Sequence, residues 1–404
     1  MINCGVDIIE ISRIERAVGK NKNFLGRVFS ESEIEYFRKK GSRMDTLAGF
    51  YAAKEAFLKY KGCGIKSLEL SKVSVEHDER NVPFVVYCGV RQRVSLSISH
   101  HKTSAVAVVC GDGGFSLEPD PQMKALIPTR REDAHKGNCG RVLVIAGSEG
   151  MTGAAVLSAK SALRCGSGLV TVAVPHSERP IVACPVAEVI TVGLDAEGGM
   201  ICQTAMKRIL EETKKADAVV FGPGLGNSRD IKMVLSGLLA EYEGKLVIDA
   251  DGLNAMKGDC EMLKDCRCQV VLTPHPGEMA RLLNVTTEEI AKDRSGIASR
   301  FAEKYGACVV LKGKDTVIVS KDGDVKINQT GNPGMATAGM GDVLSGVIAS
   351  FMGQGLGPFD AAVLGTYIHG KAGDICLMEK GVHGLIASDV LEALPLAIKS
   401  EIEF

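Results

Sequence analysis

The sequence lacks the features that mark several large classes of protein. Its 404 residues carry a formal net charge of -1, without the basic excess that a dedicated nucleic-acid binder usually shows. No apolar run approaches the roughly 20 residues needed to span a bilayer. The start of the chain has no basic segment followed by an apolar core, the pattern of a signal peptide. We therefore expect a cytoplasmic protein with no nucleic-acid partner and no membrane partner.

The cysteines form no recognisable framework, although the chain has 13 of them. They are odd in number and scattered through predicted strands and helices. Cys266 and Cys268 lack a second pair at the spacing of a zinc site. The simplest interpretation is a set of reduced thiols in a cytoplasm.

The pattern of predicted strands and helices changes between residues 111 and 136. The segment 111–121 is rich in glycine, proline and aspartate, which is typical of turns and linkers. Before it, short strands and helices are mixed; after it, apolar runs alternate with helical stretches. A chain of this length has roughly two to three domains. We predict domains at 1–112 and 125–404, joined by a linker at 113–124.

The C-terminal domain is predicted to have an α/β fold. Continuous apolar runs separated by helices indicate a parallel sheet covered on both faces. The predicted strands are VLVIA (142–146), LVTVAV (169–174), AVVF (218–221), LVID (246–249), VVLT (270–273) and CVVL (308–311).

The stretch 328–346, NQTGNPGMATAGMGDVLSG, is the most informative in the chain. Its glycines allow positive φ and close approach to a ligand, and the apolar run 343–352 predicts a helix of about three turns. Free amides at a glycine-rich helix start bind anions, so the carboxylate of Asp342 is unusual there. Two interpretations stay open: Asp342 caps the helix, or it is a base beside a phosphate-binding loop.

Polar loops with glycines follow several of the predicted strands. They are GSEGMTGAA (147–155), GPGLG (222–226), DADGLN (249–254), TPHPGE (273–278) and KGKDT (312–316). The carboxyl ends of parallel strands meet at one edge of a sheet, which is where open α/β sheets bind ligands. We expect these loops to converge with the 328–342 loop in one site.

Two carboxylates stand out in the N-terminal domain. Asp7 interrupts the strand-like run GVDIIEI (5–11), and Glu55 lies in a predicted helix at 47–59. One interpretation is structural, with Asp7 at a strand end and Glu55 in a surface ion pair with Lys59, worth about 0.3–0.5 kcal/mol. The other is a cation site, because a carboxylate among alanines and aromatics is costly to bury unpaired.

The ordered motifs of this domain resemble holo-[acyl-carrier-protein] synthase over residues 1–110. The motifs are GVDIIEI, FYAAKEAFLK (50–59), GCG (62–64) and SISH (97–100). The resemblance implies an α+β phosphopantetheinyl transferase domain that moves 4'-phosphopantetheine from coenzyme A to a serine of apo acyl carrier protein. It implies Asp7 and Glu55 as ligands of Mg²⁺, Lys59 as a catalytic residue near the phosphates, and His100 near the coenzyme. The family is commonly trimeric, so we expect a homo-oligomer.

The motifs of the C-terminal domain resemble the NAD(P)H-hydrate dehydratases of the ribokinase-like superfamily, over roughly residues 125–400. The match lies in HKGNCG (135–140), AGSEGMTGAA (146–155), GPGLG, DADGLN, TPHPGE, LKGKDT (311–316) and GNPGMATAGMGD (331–342). The resemblance implies a three-layer α/β/α fold with a mostly parallel sheet. It also implies dehydration of (S)-NAD(P)H-hydrate to NADH or NADPH with ADP, or ATP, as co-substrate, a metabolite repair reaction.

The same resemblance implies roles for individual residues. The residues implied to hold the nucleotide are Lys312, Gly313, Lys314, Asp315, Thr316 and Gly341. Ala154, Gly224 and His275 would line the hydrated dinucleotide, and Asp342 would act as the base on its hydroxyl.

Several residues keep a second interpretation. His275, between two prolines, could simply fix its loop, and Glu278 is interpreted as a helix cap rather than a cation ligand. Asp249 and Asp251 are either structural or organise phosphates. For the whole chain, two alternatives stay open: the C-terminal domain is a small-molecule kinase of vitamin metabolism, or one half is only a binding module.

Overall fold

The computed structural model describes residues 3–20, 23–60, 70–87, 90–92, 94–111 and 119–402. The chain divides into two compact units, Met1–Glu118 and Pro119–Phe404. The GCG motif at 62–64 and half of the predicted linker, residues 113–118, lie outside the described residues. The domain bounds given above stay a prediction. In the described part, no helix is both long enough and apolar enough to cross a membrane.

The N-terminal unit is α+β, as predicted. Its elements are β1 (Asn3–Glu10), α1 (Ile11–Lys20), α2 (Phe24–Val28), α3 (Glu31–Lys39), α4 (Met44–Tyr60), β2 (Val73–His77), β3 (Pro83–Tyr87), β4 (Val90–Arg91), β5 (Ser95–His100) and β6 (Ser104–Gly111). The strands form two antiparallel sheets, in the orders β1-β6-β5 and β2-β3-β4. β5 and β6 are joined by a short turn and form an antiparallel hairpin.

Helix α4 is the core of this unit and packs closely on β1. A Cβ added at Gly5 would lie 2.0 Å from the backbone oxygen of Ala56, so only glycine permits this approach. Alternate residues of β1 therefore face α4, and Asp7 is among them, while Val6 and Ile8 point away and are exposed.

A buried ion pair, which the sequence did not reveal, joins α3 to α4. Lys54 Nζ lies 2.8 Å from Glu33 Oε2, and both side chains are fully buried. Lys54 also donates to the carbonyls of Val28 and Leu70, and Glu33 Oε1 accepts from the Val75 amide. Burial lowers the pKa of Lys54, while Glu33 opposes that shift.

The C-terminal unit contains the larger sheet and most of the helices. Its strands are β7 (Arg141–Ile145), β8 (Leu169–Pro175), β9 (Ile190–Leu194), β10 (Ala196–Glu197), β11 (Met200–Ile201), β12 (Ala218–Phe221), β13 (Lys245–Ile248), β14 (Gln269–Leu272), β15 (Cys308–Leu311), β16 (Thr316–Val319) and β17 (Val325–Asn328). Its helices are α5 (Pro121–Leu126), α6 (Thr152–Arg164), α7 (Arg179–Ala183), α8 (Met206–Thr213), α9 (Arg229–Glu241), α10 (Asp251–Ala255), α11 (Pro276–Leu283), α12 (Thr287–Lys292), α13 (Arg294–Tyr305), α14 (Met340–Gly353), α15 (Pro358–Gly384) and α16 (Ala387–Ile402).

The large sheet has the order β17-β16-β15-β14-β13-β12-β7-β8-β9. Following this order from β15 to β9, each strand is parallel to the next. β16 pairs with β15 and β17 pairs with β16 in antiparallel fashion, at one edge of the sheet. All six predicted strands are confirmed. The expectation missed β9, β16 and β17, three strands towards the edges of the sheet.

Each face of this sheet carries its own hydrophobic core. Residues alternate along β7, so Val142 and Val144 pack with α6, α14, α15 and α16, while Leu143 and Ile145 pack with α9, α11 and α13 on the other face. The predicted three-layer α/β/α fold with a mostly parallel sheet is therefore confirmed.

Candidate active site

The start of α14 lies at the carboxyl edge of the parallel strands, as the 328–346 stretch predicted. The N-cap is Gly339, with φ of 88°, and no side chain caps this helix. Because this positive φ strains any residue with a Cβ, the position favours glycine, and an added Cβ would also lie 2.6 Å from Leu157 Cδ1. Asp342 is in the first turn but is not the N-cap, so the capping interpretation of Asp342 is wrong. The uncapped amides are free to bind an anion.

Lys312, at the end of β15, lies against the start of α14. Its Nζ lies 2.9 Å from Asp249 Oδ1 and 3.8 Å from Glu278 Oε2. A Cβ added at Gly341 would lie 3.1 Å from Lys312 Nζ and 3.4 Å from Asp249 Oδ2. The structure thus brings together three loops and the helix start that the sequence predicted to converge.

Burial and the carboxylates around Lys312 together set the ionisation of Asp342. Burial, reinforced by Asp249, raises the pKa of Asp342 to about 6, against the opposing effect of Lys312. Burial alone would lower the pKa of Lys312, but Asp249 and Glu278 raise it. At neutral pH the site therefore holds an ammonium beside a carboxylate whose pKa is close to the range of an effective general base.

The two aspartates left undecided after β13 have different roles. Asp251 accepts from the Gly226 amide at 2.8 Å and from Asn254 Nδ2 at 3.3 Å, so it organises the 222–226 loop. Asp249 is 1% exposed, and its Oδ2 has no hydrogen-bond partner among the described residues. Ala250 between them has φ of 48°, an uncommon conformation for a residue with a side chain. Asp249 Oδ2 is therefore a buried acceptor open to a ligand.

His275 and Glu278 form a capping box at the start of α11. His275 Nδ1 accepts from the amides of Gly277 and Glu278, and Glu278 Oε2 accepts from the His275 amide at 2.7 Å. The structural interpretations of both residues are confirmed. The His275 side chain is nonetheless 50% exposed, so its outer edge can still contact a ligand.

The 311–316 loop has an unusual backbone that Arg294 holds in place. Gly313 has φ of 142° and Asp315 has φ of 54°. Arg294 donates to the carbonyls of Leu311, at 3.0 Å, and Lys312, at 3.3 Å, and also to that of Lys314. Arg294 is a residue that sequence reasoning missed, because it lies about 20 positions before the loop it supports.

Within the same loop, Thr316 Oγ1 donates to the Gly313 carbonyl at 2.8 Å, which closes the turn before β16. Lys314 and Asp315 are exposed, whereas Thr316 is buried. Of the residues implied to hold a nucleotide, Lys312 and Gly341 are neighbours, and Thr316 shapes the loop between them and β16.

Ala154 and Gly224 are neighbours, as their implied shared role requires. Gly224 has φ of 62°, and a Cβ there would lie 2.8 Å from the Met151 oxygen and 2.9 Å from Ala154 Cβ. Ser148 Oγ donates to the Gly224 carbonyl at 2.9 Å. These contacts join the loop after β7 to the loop after β12.

Two further polar residues, both on α15, were missed by sequence reasoning. His369 is 8% exposed, its Nε2 has no partner among the described residues, and burial together with Lys312 lowers its pKa to about 4. Asp374 accepts from the Gly331 amide at 2.8 Å and from Asn332 Nδ2 at 3.0 Å, which fixes the loop before α14. Both lie in the segment HGKAGD (369–374), whose histidine and aspartate inside an apolar helix were the available signal.

In the N-terminal unit, Asp7 and Lys59 form a pair between β1 and α4. Lys59 Nζ lies 2.8 Å from Asp7 Oδ1 and donates to the Val6 carbonyl at 3.0 Å. Glu55 is 8% exposed and accepts a hydrogen bond from Tyr51, whose pKa burial and Glu55 raise to about 12. The interpretation of Glu55 and Lys59 as a surface ion pair is therefore wrong, because Lys59 reaches Asp7 instead.

The described residues hold no group of three or more His, Cys, Asp or Glu side chains that could bind a metal ion by themselves. Asp7 and Glu55 supply two hard oxygen donors, so a cation there would complete its shell with water and ligand phosphates. That donor set fits Mg²⁺, which usually keeps several waters and binds through one or two carboxylates.

His100 lies at the end of β5, beside the first turn of α4. Its Nδ1 is 3.8 Å from Asp45 Oδ2, and its side chain is half-exposed. Glu55 lies ten positions after Asp45 on the same helix, about 15 Å along its axis. His100 thus lies at the opposite end of α4 from the Asp7 and Glu55 carboxylates.

Comparisons with known proteins match both units. A family model described as NAD(P)H-hydrate dehydratase matches residues 142–396, and one described as the 4'-phosphopantetheinyl transferase superfamily matches residues 3–110. The chain is 44% identical over 278 residues to the bifunctional NAD(P)H-hydrate repair enzyme of Moorella thermoacetica, covering 69% of this chain and 52% of that protein. This chain thus spans about half the length of the bifunctional relatives that it matches.

Two proteins without the bifunctional description also match. The ADP-dependent (S)-NAD(P)H-hydrate dehydratase of Neisseria meningitidis is 37% identical over 269 residues, covering 65% of this chain and 86% of that protein. A solved structure of the ADP/ATP-dependent NAD(P)H-hydrate dehydratase from Bacillus subtilis, co-crystallised with ATP and Mg²⁺, is 29% identical with a TM-score of 0.61. The match covers 71% of this chain and 99% of the Bacillus subtilis chain.

Proposed function

This chain belongs to the NAD(P)H-hydrate dehydratase family and carries an N-terminal 4'-phosphopantetheinyl transferase superfamily domain, and from this we propose that it is a bifunctional enzyme. The C-terminal unit uses ADP or ATP to dehydrate (S)-NAD(P)H-hydrate to NADH or NADPH. The N-terminal unit transfers 4'-phosphopantetheine from coenzyme A to a serine of apo acyl carrier protein. The dehydratase relatives support the first activity, and the match at residues 3–110 supports the second.

The dehydration needs a better leaving group than the ring hydroxyl. Asp342 takes the proton of that hydroxyl while its oxygen attacks the terminal phosphorus of the nucleotide. The phosphoanhydride bond breaks, leaving AMP from ADP or ADP from ATP. The C–O bond of the phosphate ester then breaks and releases inorganic phosphate, while the neighbouring ring carbon loses a proton to water. The electron pair of that C–H bond restores the ring double bond. The single observation that carries this proposal is a carboxylate of raised pKa in the first turn of an uncapped helix.

The surroundings of Asp342 suit a phosphoryl group in transfer. The amides at the start of α14 supply fixed hydrogen-bond donors, and Lys312 supplies a positive charge beside Gly341. The remaining loop residues 313–316 hold the rest of the nucleotide. Ala154, Gly224 and the exposed edge of His275 line the hydrated nicotinamide.

The direct test incubates the full-length protein with hydrated NADH and either ADP or ATP. We expect reduced nicotinamide and inorganic phosphate to form in equal amounts, with none formed when nucleotide is omitted. Release of a stable phosphorylated alcohol, without restored NADH, would instead identify a small-molecule kinase. Comparing the two nucleotides also decides between ADP and ATP as the co-substrate.

The N-terminal activity depends on the carboxylates beside α4. Asp7 and Glu55 would hold Mg²⁺, which neutralises charge on the pyrophosphate of coenzyme A. Tyr51 donates to Glu55 and holds it in position, and the Lys59 ammonium stabilises the charge on the departing phosphate. We also propose that the protein is a homo-oligomer, as the resemblance implies. In the same proposal, His100 lies near the bound coenzyme.

The transferase is tested by the mass of apo acyl carrier protein after incubation with coenzyme A and Mg²⁺. We expect a gain of one phosphopantetheine with the natural protein and its loss in Glu55→Gln. The matched control is Glu10→Gln, which changes an exposed carboxylate on β1. Full modification by Glu55→Gln would rule out Glu55 as a metal ligand.

A further inference from the structure

Cys4 and Cys110 lie side by side on neighbouring strands of the β1-β6-β5 sheet in the N-terminal unit. They are directly opposite in the antiparallel register of β1 and β6, and their Sγ atoms are 3.0 Å apart. Cys4 is exposed and Cys110 is partly exposed. Neither residue belongs to the carboxylate cluster proposed for the transferase.

The backbone geometry of this pair suits a disulfide. Directly opposed residues of antiparallel strands have Cα atoms about 4.5–5.5 Å apart. That range lies inside the span of about 4.4–6.8 Å that disulfides bridge. Because the sulfurs already touch, they need to approach by only about 1 Å to reach bonding distance. Cys266 and Cys268, by contrast, are close in sequence, and Cys268 is buried.

We propose that Cys4 and Cys110 form a reversible cross-strand disulfide, a redox modification site in the N-terminal unit. With glutathione disulfide as oxidant, the Cys4 thiolate attacks one of its sulfurs and releases one glutathione. The Cys110 thiolate then attacks the Cys4 sulfur of the mixed disulfide and releases the second glutathione. Two protein thiols are oxidised, one glutathione disulfide is reduced, and the two thiol protons end on the two glutathiones.

The disulfide would enclose nearly the whole N-terminal unit. Cys4 lies at the start of its first strand and Cys110 at the end of its last. A cross-link between such distant positions restricts the unfolded chain, and the effect grows with the length of the enclosed loop. The oxidised unit should therefore melt at a higher temperature than the reduced unit.

The experiment equilibrates the full-length protein in glutathione redox buffers, blocks the remaining thiols and maps the peptides by mass. We expect a linked Cys4–Cys110 peptide pair whose mass is two hydrogens less than the sum of the two reduced peptides. A reducing agent should separate the pair. The linked pair should be absent from Cys4→Ser and retained by Cys184→Ser, which removes another exposed cysteine. The melting temperature of the N-terminal unit should rise on oxidation in the natural protein and stay unchanged in Cys4→Ser.

Three results would overturn the proposal. They are persistence of both thiols in an oxidising buffer, a stable glutathione adduct on Cys4 without ring closure, and oxidation confined to Cys266 and Cys268. An unchanged melting temperature in protein that carries the Cys4–Cys110 bond would overturn the stabilising role.

Discussion

Asp342 shows how the surroundings of one residue set its chemistry. An aspartate at a helix start normally caps the helix and has a low pKa. Here Gly339 is the N-cap, and burial with neighbouring carboxylates raises the pKa of Asp342. The sequence places an acid in a loop of free amides. Only the fold shows that Asp249, just after β13, and Glu278, in the first turn of α11, lie near it.

The pH dependence of dehydration follows from this pKa. Asp342 acts in its ionised form, so the rate should be constant above its pKa and fall tenfold per pH unit below it. Because the pKa is raised to about 6, the acid limb should lie near pH 6, or higher once an anionic nucleotide is bound. An ordinary aspartate would place it near pH 4. The prediction is checked by measuring the turnover of hydrated NADH at saturating nucleotide over a pH range that extends below the lower and above the higher of these two values.

Gly341 offers a second test at the residue scale. Its Cα approaches Lys312 so closely that an alanine Cβ would lie 3.1 Å from Nζ. We expect Gly341→Ala to fold normally but to weaken ADP binding by about tenfold, since the ammonium must move away from the phosphates. Gly19→Ala, where a Cβ meets nothing within 4 Å, is the matched control. Calorimetric titration with ADP gives both affinities, and equal values would contradict the proposed position of the phosphates.

At the scale of elements, α14 owes its position to a close crossing with α6. A Cβ added at Gly346 would lie 2.0 Å from the Ser158 oxygen, and Ser345 Oγ lies 3.2 Å from Ser158 Oγ. This contact fixes the helix whose first turn carries the site.

We expect Gly346→Ala to destabilise the C-terminal unit by about 3 kcal/mol, because a backbone atom blocks the new methyl group. Gly353→Ala, in the same helix, is the control: its added Cβ would lie 3.4 Å from the nearest atom, so it should lower the free energy of unfolding far less. Denaturant unfolding of the two variants compares them. A Gly346→Ala protein as stable as the Gly353→Ala protein would show that the helices separate easily.

The elements also show how far sequence reasoning reaches. Buried parallel strands are continuous apolar runs, so six of them could be predicted. Edge strand β17 (VKIN) mixes polar and apolar residues, and β16 begins inside a loop motif, so neither gave a clear signal. Likewise the convergence of loops followed from strand direction, but Arg294 and His369 did not, because they lie on helices that reach the site only through tertiary packing.

At the scale of the whole molecule, two units with separate cores share one chain. The core of the N-terminal unit contains the ion pair of Lys54 with Glu33. Burying both charges is tolerated because each compensates the other and backbone groups satisfy the rest.

We expect Glu33→Gln to destabilise the N-terminal unit by about 3–5 kcal/mol, because the Lys54 ammonium would remain buried without a counter-charge. Glu35→Gln is the control, since Glu35 pairs with Lys39 on the surface and should contribute less than about 1 kcal/mol. Thermal unfolding followed by calorimetry measures both. Equal melting temperatures would mean that Lys54 loses its proton at little cost.

The most direct measurement of the central claim is the rate of NADH formation from hydrated NADH by Asp342→Asn, with nucleotide binding measured on the same preparation. The account predicts a rate lower by a factor of about 10²–10⁴, with nucleotide still bound, because the amide cannot accept the hydroxyl proton. Asp322→Asn, which alters an exposed aspartate in the turn between β16 and β17, should keep the natural rate. An Asp342→Asn protein that binds nucleotide and turns over at the natural rate would contradict the assignment of Asp342 as the base.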